Sequence, residues 1–218
     1  MCSNNIYEKK IERLQHIMDE IEPGKITILT GPNGSGKSLV RKQLCFRLAK
    51  KTHVERYEKL VAEISMQKRT ELNPEMGGLS AMWHDASWEP TGCSTYYLIK
   101  SLFKTFLNEN SSKRYLIIDE PEIGMSKEAQ MGLVNYIRSK LDDVLKYTYG
   151  LLIITHSDVI VEGLKDKSVF LNIEKDCTAD EWLHRELIPM DLEVLEEESS
   201  NLFKAIEKYS REKKKKKE

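Results

Sequence analysis

Apolar positions along the chain follow two alternating periods. Residues 5–22 place Tyr7, Ile11, Leu14, Met18 and Ile21 at alternating steps of four and three, the spacing of one helix face. Pro23-Gly24 ends that helix, and Lys25 to Thr30 reads as a short buried strand. A second helix opens at Lys37 and reaches about Lys51, and Leu60 to Met66 reads as a second strand. Residues 67–93, rich in Gly, Pro, Trp, Asn and Ser, read as mostly irregular. Thr95 to Asn108 returns to helical spacing through Leu98, Ile99, Leu102, Phe103, Phe106 and Leu107. Tyr115 to Asp119 and Leu151 to Thr155 are apolar runs short enough for strands buried on both faces, with a helix over 126–146 between them. Further strands are expected at 168–173 and 184–188, then a helix over 191–210 and a basic run from Lys213 to Lys217. Strands alternating with helices predict an α/β fold with a mostly parallel central sheet flanked by helices.

The length of 218 residues suits a single domain, placed over 1–210 with 66–110 as an irregular stretch and the helix that follows it, then a disordered basic tail over 211–218. Charged residues make up 32% of the chain, yet the net charge is −1, so overall charge points to no acidic or basic partner. Only the lysine run hints at nucleic acid, and such runs are usually solvated ends. Cys2, Cys45, Cys93 and Cys177 lie far apart with no C-x-x-C pair, which suits a reducing compartment. No apolar stretch approaches a membrane span and no signal core is visible, so a cytoplasmic location without membrane contact is expected.

Three short blocks carry candidate chemistry. Gly31-Pro32-Asn33-Gly34-Ser35-Gly36-Lys37-Ser38 fits the phosphate-loop pattern G-x-x-x-x-G-K-[ST], between a strand and a helix as that pattern requires. The glycines let backbone amides turn onto phosphate oxygens, and the helix N-terminus adds its positive dipole end. Lys37 is placed to reach the β- and γ-phosphates, and Ser38 to donate its hydroxyl oxygen to Mg²⁺. Asp119 and Glu120 emerge at the C-terminal end of an apolar strand, the edge where open α/β sheets bind ligands. Asp119 is the candidate for Mg²⁺, and Glu120 for orienting and polarising the attacking water. His156 follows the next apolar strand at the same edge, where it can hydrogen-bond a γ-phosphate.

Taken together, the phosphate loop, "LIIDEPEIGMS" and "LLIITHSD" resemble the ATP-binding cassette (ABC) type of ATPase, and more closely the soluble relatives of SMC and RecF-type proteins. The resemblance spans roughly residues 24–175. It implies a P-loop NTPase fold, a D-loop at Pro121 to Ser126, a switch histidine at His156, and a Q-loop glutamine at Gln67 that touches Mg²⁺. It also implies a signature loop that closes on ATP held by a second copy, giving a homodimer with nucleotide sandwiched between subunits. No intact signature loop is present; Thr91, Gly92 and Ser94, in "PTGCST", are the best placed stand-ins, with "MGGLS" at 76–80 second. The short distance from Lys37 to Thr91 implies a reduced helical subdomain, and no heptad run suggests coiled-coil arms. Trp83, Trp88, Tyr96 and Tyr97 crowd the same region as either core packing or a surface for a protein partner or effector. Tyr7 is the only aromatic upstream of the loop and serves core packing better than adenine stacking.

The reading that follows is an Mg²⁺-dependent ATPase. Two alternatives stay open at this point: an ATP-gated binding module with little turnover, and a P-loop kinase acting on a small acceptor.

Overall fold

A computed structural model of the chain describes residues 3–52, 61–65, 91–107 and 114–215. Gln67, the 76–80 segment, Trp83 and Trp88, and most of the stretch expected to be irregular lie outside the described residues. The described elements run in the order α1 (Ser3–Glu20), β1 (Ile26–Thr30), α2 (Lys37–Thr52), β2 (Val61–Ile64), α3 (Thr91–Phe106), β3 (Arg114–Asp119), α4 (Lys127–Tyr147), β4 (Thr148–Ile154), α5 (Asp158–Leu164), β5 (Ser168–Asn172), α6 (Ala179–Leu183) and α7 (Leu192–Lys215). Most expected elements are present within a few residues. β4 starts ahead of Leu151, because Thr148 already pairs with Arg114 before a register shift.

The five strands form one parallel sheet in the order β2-β3-β4-β1-β5. Every residue of β1 is buried, as are Tyr115 to Ile118 of β3 and Leu151 to Ile154 of β4. The reason is that both faces are covered. Ile26, Ile28, Leu116, Ile118, Leu151 and Ile153 point to a core shared with α3, α4, α5 and Trp182 of α6. The intervening Leu29, Tyr115, Ile117, Leu152 and Ile154 point to the opposite core, shared with α1 and α2. Strand side chains alternate faces, so a strand that is apolar at every position buries both of its faces.

Strand order positions the site. β4 lies between β1 and β3, and the registers pair Leu29 with Ile154 and Ile154 with Asp119. The residues just past those three positions therefore emerge side by side: the phosphate loop after β1, Thr155-His156 after β4, and Glu120 after β3. The ladder continues one step beyond, with Thr155 N–H donating to Leu29 O (3.1 Å) and Glu120 N–H to Ile154 O (2.8 Å).

Two expectations differ from the fold. Residues 185–190 form no strand, contrary to the reading of 184–188. Backbone donors there close the end of α6 instead, His184 N–H to Asp180 O and Arg185 N–H to Trp182 O. The Arg185 guanidinium then stacks 3.6 Å above the Trp182 ring. Leu187 and Ile188 remain 74% and 79% exposed, and Pro189 removes the next ladder donor. The last helix also runs beyond 210, to Lys215, into the lysine run.

Candidate nucleotide site

The phosphate loop folds as its glycines demand. Gly31 has φ +152°, and a Cβ there would lie 2.9 Å from Ser35 Oγ and 3.1 Å from Ile173 Cβ. Gly36 has φ +108°, with both methyls of Leu14 only 3.3 Å from where a Cβ would stand. Neither position admits a side chain without displacing its neighbours. α2 begins at Lys37 itself, so its N-terminal amides open onto the loop.

Lys37, Ser38, Asp119 and Glu120 line one cavity of about 340 Å³ together with Asn33, Gly34 and Gly36. The Lys37 ammonium is buried and folded back onto its own loop, donating to Gly31 O and Pro32 O, both at 2.9 Å. Burial pulls its pKa down, against the upward pull of Glu120, Asp119, Glu122 and Glu174. Glu120 has φ +50°, an uncommon conformation for a residue with a side chain, and strain of this kind clusters at functional sites. Its Oε1 lies 3.4 Å from His156 Nε2. Among the described residues, His156 Nε2 and Ser35 Oγ are buried without a hydrogen-bond partner.

Three residues that sequence reasoning missed hold these groups in place. Arg41, one turn after Lys37 on α2, bonds through Nη1 both to Asp119 Oδ2 (2.8 Å) and to Glu63 Oε1 of β2 (2.7 Å). The three side chains are at most 16% exposed. Burial raises the Asp119 carboxyl to about 6; Arg41 opposes the shift, and the neighbouring carboxylates Glu120 and Glu63 add to it. The third is Glu122. It accepts from Thr155 Oγ1 (2.8 Å) through one oxygen and from His156 N–H (2.7 Å) through the other, tying the loop after β3 to the loop after β4. Ser157 extends the tie: it caps α5 by accepting from Ile160 N–H and donates to Gln130 Oε1 at 2.6 Å, while Gln130 Nε2 donates to Met125 O. The i,i+4 spacing of Lys37 and Arg41, the lone carboxylate in the strand Val61-Ala62-Glu63-Ile64, and a third carboxylate directly after Asp119-Glu120-Pro121 were the available signals.

Thr91, Gly92 and Ser94 form the first turn of α3 instead of a loop ahead of it. That helix covers the sheet face opposite α2. Tyr96 packs edge-on against Tyr136 of α4, with ring centroids 5.4 Å apart, whereas Tyr97 is exposed.

No protein-family model and no curated protein sequence matches the chain. Solved structures similar to it include C. elegans PCH-2, at 16% identity and TM-score 0.38, over 79% of this chain and 41% of that one. The Aeropyrum pernix ORC2 protein in ADPNP–ADP complexes matches at 12% identity and TM-score 0.33, over 79% and 48%. A nucleotide-free ATP-binding cassette from an ABC transporter matches at 15% identity and TM-score 0.35, over 70% and 79%. This chain thus spans less than half the length of the first two. No helix among the described residues is long and apolar enough to cross a membrane. By its parallel five-stranded sheet and the phosphate loop joining β1 to α2, the chain has the fold of a P-loop NTPase.

Proposed function

We propose that this chain binds and hydrolyses ATP with Mg²⁺, and that ATP joins two copies into a dimer. The observation that carries the reading is the convergence of Lys37, Ser38, Asp119 and Glu120 on one cavity, with His156 3.4 Å from Glu120. The donors suit a small hard cation, being the Ser38 hydroxyl and the Asp119 carboxylate, with no sulfur or imidazole between them. Bound there, Mg²⁺ would offset charge on the β- and γ-phosphates.

The chain's own groups divide the remaining work. The loop amides and the α2 N-terminus hold the phosphates, and Lys37 exchanges two loop carbonyls for phosphate oxygens. Glu120 takes up the proton of the attacking water, and His156 steadies both that carboxylate and the γ-phosphate. Gln67 is proposed as a further metal contact. Thr91, Gly92 and Ser94 are proposed to meet the nucleotide of a second copy, for which the amides of the first turn of α3 are suited.

Glu120→Gln tests this directly. The variant should bind ATP as wild type does, lose roughly 10²–10⁴-fold in turnover, and accumulate as a dimer in light scattering with ATP. Wild-type turnover in that variant would remove Glu120 from the mechanism. One observation favours a second reading, an ATP-gated module with little turnover: Arg41 pairs with Oδ2 of Asp119, one of the two carboxylate oxygens the hydrolytic reading offers to the metal. Single-turnover hydrolysis measured on the purified chain separates the two.

A further inference from the structure

Asp119 faces two neighbours at once. Its carboxylate lines the phosphate cavity, while its Oδ2 accepts from Arg41 Nη1 at 2.8 Å. Among the described residues, Arg41 and its second partner Glu63 stand behind that cavity and do not line it. We propose that Arg41 is the resident cation of the Asp119–Glu63 pair, and that it keeps a free divalent cation out until a nucleotide carries one in. The inference rests on the proposed role of Asp119 as a metal contact and adds the group that controls it.

Sheet register brings the two carboxylates together. Glu63 of β2 pairs with Ile117 of β3, two residues before Asp119. Side chains alternate along a strand, so Ile117 and Asp119 share a face, and the paired Glu63 shares it with them. Ile117 belongs to the core covered by α1 and α2, which puts both acids on the α2 side. Arg41 of α2 lies across them, one nitrogen bonding Glu63 Oε1 at 2.7 Å and Asp119 Oδ2 at 2.8 Å.

Burial and chemistry make this guanidinium a substitute for a metal ion. The Glu63 side chain is 8% exposed and that of Arg41 10%, so water screens the group poorly. Carboxylates brought together out of water need a cation between them, and Arg41 supplies one that deprotonation cannot remove. Lys37, one turn earlier on α2, is turned onto Gly31 O and Pro32 O. Without the guanidinium, Asp119 and Glu63 would offer the oxygen ligands that a hard divalent cation takes. With it in place, Asp119 Oδ1 is the oxygen left to a metal. One carboxylate oxygen and the Ser38 hydroxyl suit a cation that already carries phosphate and water ligands. Metal and nucleotide therefore enter together.

Equilibrium dialysis of the full chain against Mn²⁺, with and without a non-hydrolysable ATP analogue, tests this order. Wild type should take up Mn²⁺ with the analogue and bind it at least about tenfold more weakly alone. Without nucleotide, Arg41→Met should bind Mn²⁺ at least about tenfold more tightly than wild type. Arg41→Lys, which keeps a cation, should stay within about threefold of wild type. Arg41→Met/Glu63→Gln restores the local net charge and should lose the gained affinity. Equal nucleotide-free affinity in wild type and Arg41→Met overturns the proposal, and so does a gain that persists in the double variant. Should Arg41→Met fail to fold by circular dichroism, wild type decides: Mn²⁺ bound as tightly alone as with the analogue overturns the proposal. A wild type that takes up no Mn²⁺ under either condition removes the ATP site itself, and the role of Arg41 with it.

Discussion

Removing the Glu122 carboxylate tests whether the loops after β3 and β4 are held as one unit. Glu122→Ala deprives Thr155 Oγ1 and His156 N–H of their acceptors, at 2.8 and 2.7 Å. Thr155 is fully buried, so its hydroxyl has no access to water in place of the carboxylate, although it still accepts from Ser157 N–H at 3.0 Å. Hydrogen bonds to a charged group contribute about 1.5–3 kcal/mol each, which sets an upper limit near 6 kcal/mol for the pair. Glu122 is only half-buried, and the variant also escapes the cost of partly desolvating a carboxylate. The expected net loss is therefore about 2–3 kcal/mol, or roughly 5–10 °C in Tm for a chain of this size. Equilibrium urea unfolding should show a lower midpoint with an unchanged slope. Glu122→Gln keeps one carbonyl acceptor and turns an NH₂ toward the other donor, so its loss should be intermediate. A destabilisation of Glu122→Ala below about 0.5 kcal/mol, the scatter of ordinary surface substitutions, would refute the tie. ATP turnover should fall in step with stability, because His156 hangs from the same carboxylate.

Other perturbations have equally defined outcomes. The positive φ of Glu120 makes Glu120→Gly more stable than Glu120→Ala by about 1 kcal/mol in thermal unfolding, net of glycine's greater unfolded-state entropy; equal stability would mean the backbone there is unstrained. Gly163 of α5 packs so closely on Val134 of α4 that Gly163→Ala forces a stiff β-branched side chain aside. A loss of about 1–3 kcal/mol is expected, and an unchanged urea midpoint would argue against this helix contact. Asp119 has a folded pKa near 6, above its unfolded value, so its stabilising contribution is present at pH below about 4 and is lost as pH rises through about 6. Measured without metal or nucleotide, wild type should lose up to about 3 kcal/mol relative to Asp119→Asn between pH 4 and 7. A pH-independent difference between the two proteins would show that Arg41 keeps Asp119 ionised throughout.

What the sequence determined by itself was local. Gly31 to Ser38 is a complete eight-residue device whose glycine spacing, lysine and serine need no distant partner to be recognised. The apolar runs 115–119 and 151–155 announced two-sided strands because alternation is absent when both faces are covered. For the same reason Asp119, Glu120 and His156 were legible as polar ends of buried strands. The stripe of Ile11, Leu14 and Met18 marked the buried face of α1.

Tertiary structure decided everything that depends on which strand lies beside which. A parallel strand's neighbour is chosen by long-range hydrogen bonding that no local pattern encodes, so only the sheet order reveals that β4 sits between β1 and β3 and brings His156 to Glu120. The pairing of Arg41 with Glu63 and Asp119 joins three separate elements, and the reach of Glu122 to Thr155 and His156 joins two more. Their partners are distant in sequence, so the charges looked like ordinary ones. The segment 184–188 failed in the opposite sense. Its composition suits a strand, but its backbone donors close a helix end and Pro189 follows, which leaves Leu187 and Ile188 in water. A groove lies between α1 and α7 only because the two ends of the chain meet over the phosphate loop.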